Sequence, residues 1–165
     1  GVTNDLLTIV FPASITPVHF IKLRLLDNNG KEVAQSFYWR STDRYKGPWT
    51  ISGPSTGGFQ ALSHLKKVAL ACHARMIQKN GKSIIRVQLT NKDQGLAFFT
   101  QLQLVHKDGS PRIGTFYTDN FISLLPGETR EIYIYPGFGA ASVKTRDLSV
   151  QISGYNVNSF RLNLN

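Results

Sequence analysis

The chain has 165 residues, enough for one ample core or for one small domain with part of another. No run approaches the ~18 apolar residues of a membrane-spanning helix, and the single cysteine, Cys72, excludes an intrachain disulfide framework. Lys and Arg number 19 against 10 acidic residues, a net charge of +9, but the basic residues are scattered. Many alternate with apolar ones, as Lys22 and Arg24 do with Ile21, Leu23 and Leu25, which reads as the wet face of a sheet rather than a nucleic-acid groove.

The sequence opens at Gly1 without an initiator Met or a secretion signal, so a piece of a longer protein is expected. Leu6 to Phe11 is a short apolar run closed by Pro12. Val18 to Leu26 alternates and meets Asp27-Asn28-Asn29-Gly30, whose Asn-Gly pair signals a hairpin because both positions tolerate positive φ. Lys31 to Trp39 is the expected partner strand, with Val33, Phe37 and Trp39 on one face and Trp39 packed in a core. Ser41 to Gly58 is rich in Ser, Thr, Gly and Pro and reads as a linker.

A second block of strands follows. Ala61 to Lys67 has room for one helical turn. Val68, Leu70, Cys72, Ala74 and Met76 share one strand face; Lys79-Asn80-Gly81-Lys82 turns the chain, and Ile85, Val87 and Leu89 return in phase. Ala97 to Val105 is expected to aim Phe98, Leu102 and Leu104 one way before the His106-Lys107-Asp108-Gly109 turn. Thr115 to Tyr117, Phe121 to Leu125, Thr129 to Tyr135 and Leu148 to Ser153 complete the pattern, with Ile132 and Ile134 opposite Glu131, Tyr133 and Tyr135. So many short strands with frequent turns predict an all-β chain, an immunoglobulin-like antiparallel β-sandwich preceded by a few further strands. The boundaries are 1–40 for those strands, 41–58 for the linker and 59–165 for the sandwich.

Little in the chain looks catalytic. Of the three glutamates, Glu32 lies on a hairpin strand, Glu128 on a turn and Glu131 on an outward strand face. Asp119 and Glu128 sit near opposite ends of one arm, but Asp119-Asn120 reads better as a turn bonding its own backbone. His19, His64, His73 and His106 lack metal-ligand spacing, and Cys72 points away from His73 across the strand, as a small hydrophobe would. No metal or cofactor is therefore expected. Gly137-Phe138-Gly139 follows Pro136 and opens no helix, so it is a loop rather than a phosphate cradle. Sugars stack on exposed aromatic faces; Trp49 with Tyr45, in the linker, is the candidate carbohydrate contact, while Tyr133 and Tyr135 would face a neighbouring domain or a glycan.

The segment Asp119-Asn120-Phe121-Ile122-Ser123-Leu124-Leu125-Pro126-Gly127-Glu128, preceded by Leu96-Ala97-Phe98-Phe99 and Gln101-Leu102-Gln103-Leu104, resembles the C-terminal β-sandwich region of family 2 glycoside hydrolases, on their β-mannosidase and exo-β-glucosaminidase branch. The resemblance covers residues 18–155, and Ser36-Phe37-Tyr38-Trp39 looks like the end of a preceding immunoglobulin-like domain, which implies that residues 1–40 are a few strands from a truncated second sandwich. It implies an accessory, non-catalytic domain whose partners are a (β/α)8 barrel and other domains of the parent enzyme. It also implies a periplasmic, extracellular or lysosome-like setting. The barrel would supply both catalytic glutamates, and the Asn-Glu dipeptide typical of the acid/base is absent here. The alternative is a carbohydrate-binding or cell-surface adhesive immunoglobulin-like module, with glycan as partner. Neither nucleic acid nor membrane is an expected partner, whereas the bare apolar face of residues 1–40, including Ile21, Leu23, Val33, Phe37 and Trp39, makes a homodimer an expectation.

Overall fold

Alternation of apolar and polar residues becomes, in the computed structural model, ten strands among the described residues, each paired antiparallel with its neighbours. The structure describes residues 8–42, 58–137 and 147–164. The chain divides into two units, 1–64 and 65–165.

The first unit holds the hairpin β1 (Val18–Leu26) and β2 (Glu32–Ser41) and a 3₁₀ turn at Gln60–His64. The hairpin turn is wider than the Asn-Gly pair predicts. Gly30 has φ 78°, but Asn29 is not in the left-handed region, because the Asp27 carboxylate accepts the N–H groups of Asn29 and Lys31 and holds the turn from within. The register also shifts between Leu25 and Leu26. Of the apolar run before Pro12, residues 8–11 form no strand.

Pairing overturns part of the expected inner face of this hairpin. Phe20 opposes Trp39 and Lys22 opposes Phe37, whereas Ile21 opposes Tyr38 and Leu23 opposes Ser36, so Ile21 and Leu23 lie on the other face from Phe37 and Trp39. Phe37 is half-buried and stacks on Phe20 at 5.8 Å, but Trp39 is 42% exposed, not a core residue. A two-stranded ribbon has no second layer of its own; Leu25, Leu26 and Val33 are exposed as well.

The second unit is a sandwich of two four-stranded sheets. One is ordered β10-β9-β5-β7, from β5 (Ala97–His106), β7 (Ile122–Leu124), β9 (Leu148–Ser153) and β10 (Phe160–Asn163). The other is ordered β3-β4-β8-β6, from β3 (Leu70–Lys79), β4 (Lys82–Asn91), β6 (Phe116–Tyr117) and β8 (Thr129–Tyr135). Leu102, Leu104, Val150 and Ile152 from the first meet Ile85, Val87, Leu89, Ile132 and Ile134 from the second in one core, against which Cys72, Ala74 and Met76 pack. The period-2 pattern therefore placed the inward residues of β3, β4 and β8 correctly. The β3–β4 turn carries positive φ at Asn80 (52°) and Gly81 (70°), as its sequence demands.

The middle of β5 departs from the alternation. Ala97 pairs with Leu124 and Thr100 with Ile122, so Phe98 and Phe99 together oppose the single residue Ser123. This bulge shifts the phase: Thr100, Leu102 and Leu104 point inward, and Phe98, expected among them, is buried outside the main core.

Candidate functional surfaces

At the bulged end of β5 a cluster of aromatic rings comes together. Phe98 meets Phe99 at 5.7 Å and Tyr155 at 5.8 Å, and Phe99 meets Phe121 at 5.3 Å. Phe99 and Phe121 both have positive φ, 55° and 54°, a region that bulky side chains rarely occupy. Two buried or half-buried asparagines hold this arrangement. Asn156 accepts the Phe98 N–H at 2.8 Å and donates to the carbonyls of Lys66 and Leu96, each at 2.7 Å, while Tyr155 N–H donates to the Phe98 carbonyl. Asn120 accepts the N–H groups of Leu102 (2.8 Å) and Phe121 (3.0 Å) and donates to the Leu102 carbonyl at 3.0 Å.

Those Asn120 bonds have a structural logic. Strand β7 is three residues long, so among the described residues the edge of β5 beyond it has no partner strand. Asn120 takes the place of that strand at Leu102. At Leu104 the N–H donates to the Tyr117 hydroxyl at 2.9 Å and the carbonyl accepts from Arg112 N–H, also at 2.9 Å. Burial raises the Tyr117 pKa, against the smaller lowering that the Leu104 N–H bond exerts. The Asp119-Asn120-Phe121 word thus reads as an edge cap followed by an aromatic projection.

A second surface lies on the outward face of β3, β4 and β8. Arg75 stands directly opposite Arg86, a like-charge pair that is unfavourable by itself. Glu131 compensates it by accepting from Arg86 and from the Tyr133 hydroxyl. The Tyr133 hydrogen bond, then Arg86, holds the Glu131 carboxyl below its usual range, while the same bond raises the Tyr133 phenol. The Lys79 ammonium lies 4.9 Å from the Tyr133 ring centre. Arg75, Arg86, His73 and Gln88, with Leu162 and Asn163 of β10, line a groove of ≈ 430 Å³. A glutamate held ionised in this way is unsuited to the general-acid role, which needs a raised pKa.

The expected site residues are dispersed. Trp49 and Tyr45 lie outside the described residues, as does the loop after Gly137. Tyr133 and Tyr135 project opposite Ile132 and Ile134 and are half-buried. Asp119 accepts the Asn120 N–H, while Glu128 accepts the Leu125 N–H at 3.0 Å and pairs with Arg130 at 3.5 Å. Glu32 pairs with Arg24 at 2.7 Å. All three glutamates are therefore engaged on separate elements. Burial pushes the Cys72 thiol up to about 12, the behaviour of a packed hydrophobe and not of a nucleophile. No group of three metal-ligating side chains occurs among the described residues. Sequence reasoning missed the aromatic cluster. Its signal was Phe98-Phe99 itself, since consecutive large aromatics in an alternating strand force one ring outward.

Comparison with known proteins gives a consistent picture. Residues 49–157 match the family model of the exo-β-D-glucosaminidase Ig-fold domain. The chain is 28% identical to an exo-β-D-glucosaminidase of Amycolatopsis orientalis, over 94% of this chain and 16% of that protein. It is 31% identical to one of Arthroderma benhamiae, over 85% of this chain and 16% of that protein. The crystal structure of the Amycolatopsis orientalis exo-chitosanase CsxA superposes with a TM-score of 0.74 at 26% identity, covering 94% of this chain and 19% of that one. The same enzyme inhibited by a glucosamine-configured castanospermine gives 0.76, again at 26% identity, with 95% and 19% covered. The chain thus spans about a sixth of the length of the curated relatives it matches.

Proposed function

The chain belongs to the exo-β-D-glucosaminidase Ig-fold domain family, and from that premise we propose that it is the non-catalytic accessory β-sandwich of a family 2 glycoside hydrolase, packing on neighbouring domains and helping to hold a retaining (β/α)8 barrel. The observation that carries this reading is one of proportion: nearly all of this chain aligns with about a sixth of each relative. The parent's substrate would be a β-linked glucosaminide, by analogy with the names of those relatives. Residues 1–40 would be the last strands of a preceding immunoglobulin-like domain, 41–58 a linker and 59–165 the final sandwich.

Retaining hydrolysis needs two carboxyl groups about 5–5.5 Å apart, one of them protonated at working pH. The engagement of Glu32, Glu128 and Glu131 in three separate ion pairs supports a supporting role instead. The purified chain should release no aryl group from aryl β-D-glucosaminides or β-D-mannosides. Turnover that follows the chain through every purification step would overturn the proposal. Reading the coding sequence upstream of Gly1 gives an independent check: a βα repeat with an Asn-Glu dipeptide is the expected result.

A further inference from the structure

Resting on the accessory-domain reading, we infer that the aromatic cluster Phe98, Phe99, Phe121 and Tyr155 is the seat on which another domain of the same polypeptide docks. Phe99 and Phe121 both occupy the left-handed region, where a bulky side chain is strained. Both nonetheless stay partly outside, Phe99 40% and Phe121 49% exposed, beside Tyr155 at 49%. Much of each phenylalanine's surface therefore stays open to water on a backbone that is costly to hold.

The strain is also deliberately held. The β5 bulge projects Phe99, the Asn120 amide fixes the backbone of Phe121, and Ser123 Oγ accepts the Phe99 N–H at 3.3 Å. Asn156 and the Tyr155 N–H clamp Phe98 from the other side. The rings are thus presented on fixed backbone, which lowers the ordering cost of an interface and suits an anchor.

Three occupants compete. A sugar ring needs one broad aromatic plane, but neighbouring rings here are inclined by 49°, 67° and 46°, which forms a ridged surface. A second copy would cover the cluster only by symmetry. Another domain of the parent is favoured because relatives place more than four-fifths of their length outside the region this chain matches. The docking partner would present an apolar, aromatic-accepting pocket rather than charge.

Hydroxyl-radical footprinting read by mass spectrometry tests this on the full-length polypeptide and on the present chain. Oxidation of Phe99, Phe121 and Tyr155 should be at least five-fold slower in the full-length protein. In the full-length double variant F99N/F121G, whose new residues tolerate positive φ, that protection should be lost at Tyr155 while the chain alone keeps its thermal stability or gains some. Equal oxidation in both proteins overturns the inference, as does retained Tyr155 protection in the variant. Protection of the chain alone that rises with its concentration would assign the surface to a second copy, and protection appearing only with chitosan oligosaccharide would assign it to sugar; either result also overturns it. The accessory-domain reading fails separately, through hydrolytic turnover by the chain, so the two failures are distinguishable.

Discussion

Asn156 and Asn120 show how much one amide can carry in a sandwich. Asn156 is 2% exposed and satisfies three backbone groups from two chain segments. Its replacement by alanine strands those groups without water, at about 1–3 kcal/mol for the first and less for each after relaxation. Asn156→Ala should therefore lower stability by roughly 2–4 kcal/mol in urea titration. Asn120→Ala should cost less, because its site is only half-buried. Thr100 behaves oppositely: its hydroxyl is fully buried without a hydrogen-bond partner. Thr100→Val keeps the branched shape, removes that polar atom and should stabilise by about 1 kcal/mol in the same assay. At Cys72, burial raises the folded pKa from 9.0 to about 12. Above pH 9 the unfolded thiol ionises while the folded one does not, so its contribution is intact below pH 9 and is lost as pH rises from 9 to 12. Cys72→Ser should flatten the fall of stability across that window, as followed by denaturation at stepped pH.

At the scale of elements, turns and edges decide where the sheets end. Gly81 closes the β3–β4 hairpin at φ 70°, with open space where a Cβ would stand. Gly81→Ala therefore meets only backbone strain, about 1 kcal/mol. Gly154, after β9, has ordinary φ but no room: a Cβ would lie 2.9 Å from Val157 and 3.2 Å from the Thr100 backbone. Gly154→Ala should cost more than Gly81→Ala, since it pushes the β9 exit away from the bulged strand beside the aromatic cluster. Comparing the two melting temperatures checks the order; a milder effect at Gly154 would mean that this exit yields easily. The same packing explains why Phe98 was misjudged from sequence: alternation assumes one residue per pleat, and the bulge supplies two.

At the scale of the whole chain, the sandwich has a closed two-sheet core, whereas among the described residues the β1–β2 ribbon has none. Leu25, Val33 and Trp39 are 62%, 57% and 42% exposed. An apolar ribbon of this kind favours association, each covered side chain contributing about 1.5–3 kcal/mol at most. In isolation the chain should show a mass by light scattering that rises with concentration, and L25K/W39S should return it to a monomer. A constant monomer mass for the unmodified chain would argue that the ribbon tolerates water.

The sequence by itself determined the all-β class, the hairpin at Asn80-Gly81, the inward faces of β3, β4 and β8 and the family, because each rests on local periodicity, turn chemistry or a contiguous motif. Only the tertiary structure decided which face Ile21 shares, where Trp39 sits, that β10 exists and that Phe98, Phe99, Phe121 and Tyr155 converge. Those outcomes depend on register, on a bulge and on which strand lies beside which. The aromatic cluster joins residues from three separate stretches of chain, and it exists because β5 lies between β9 and β7, an adjacency that no local pattern encodes.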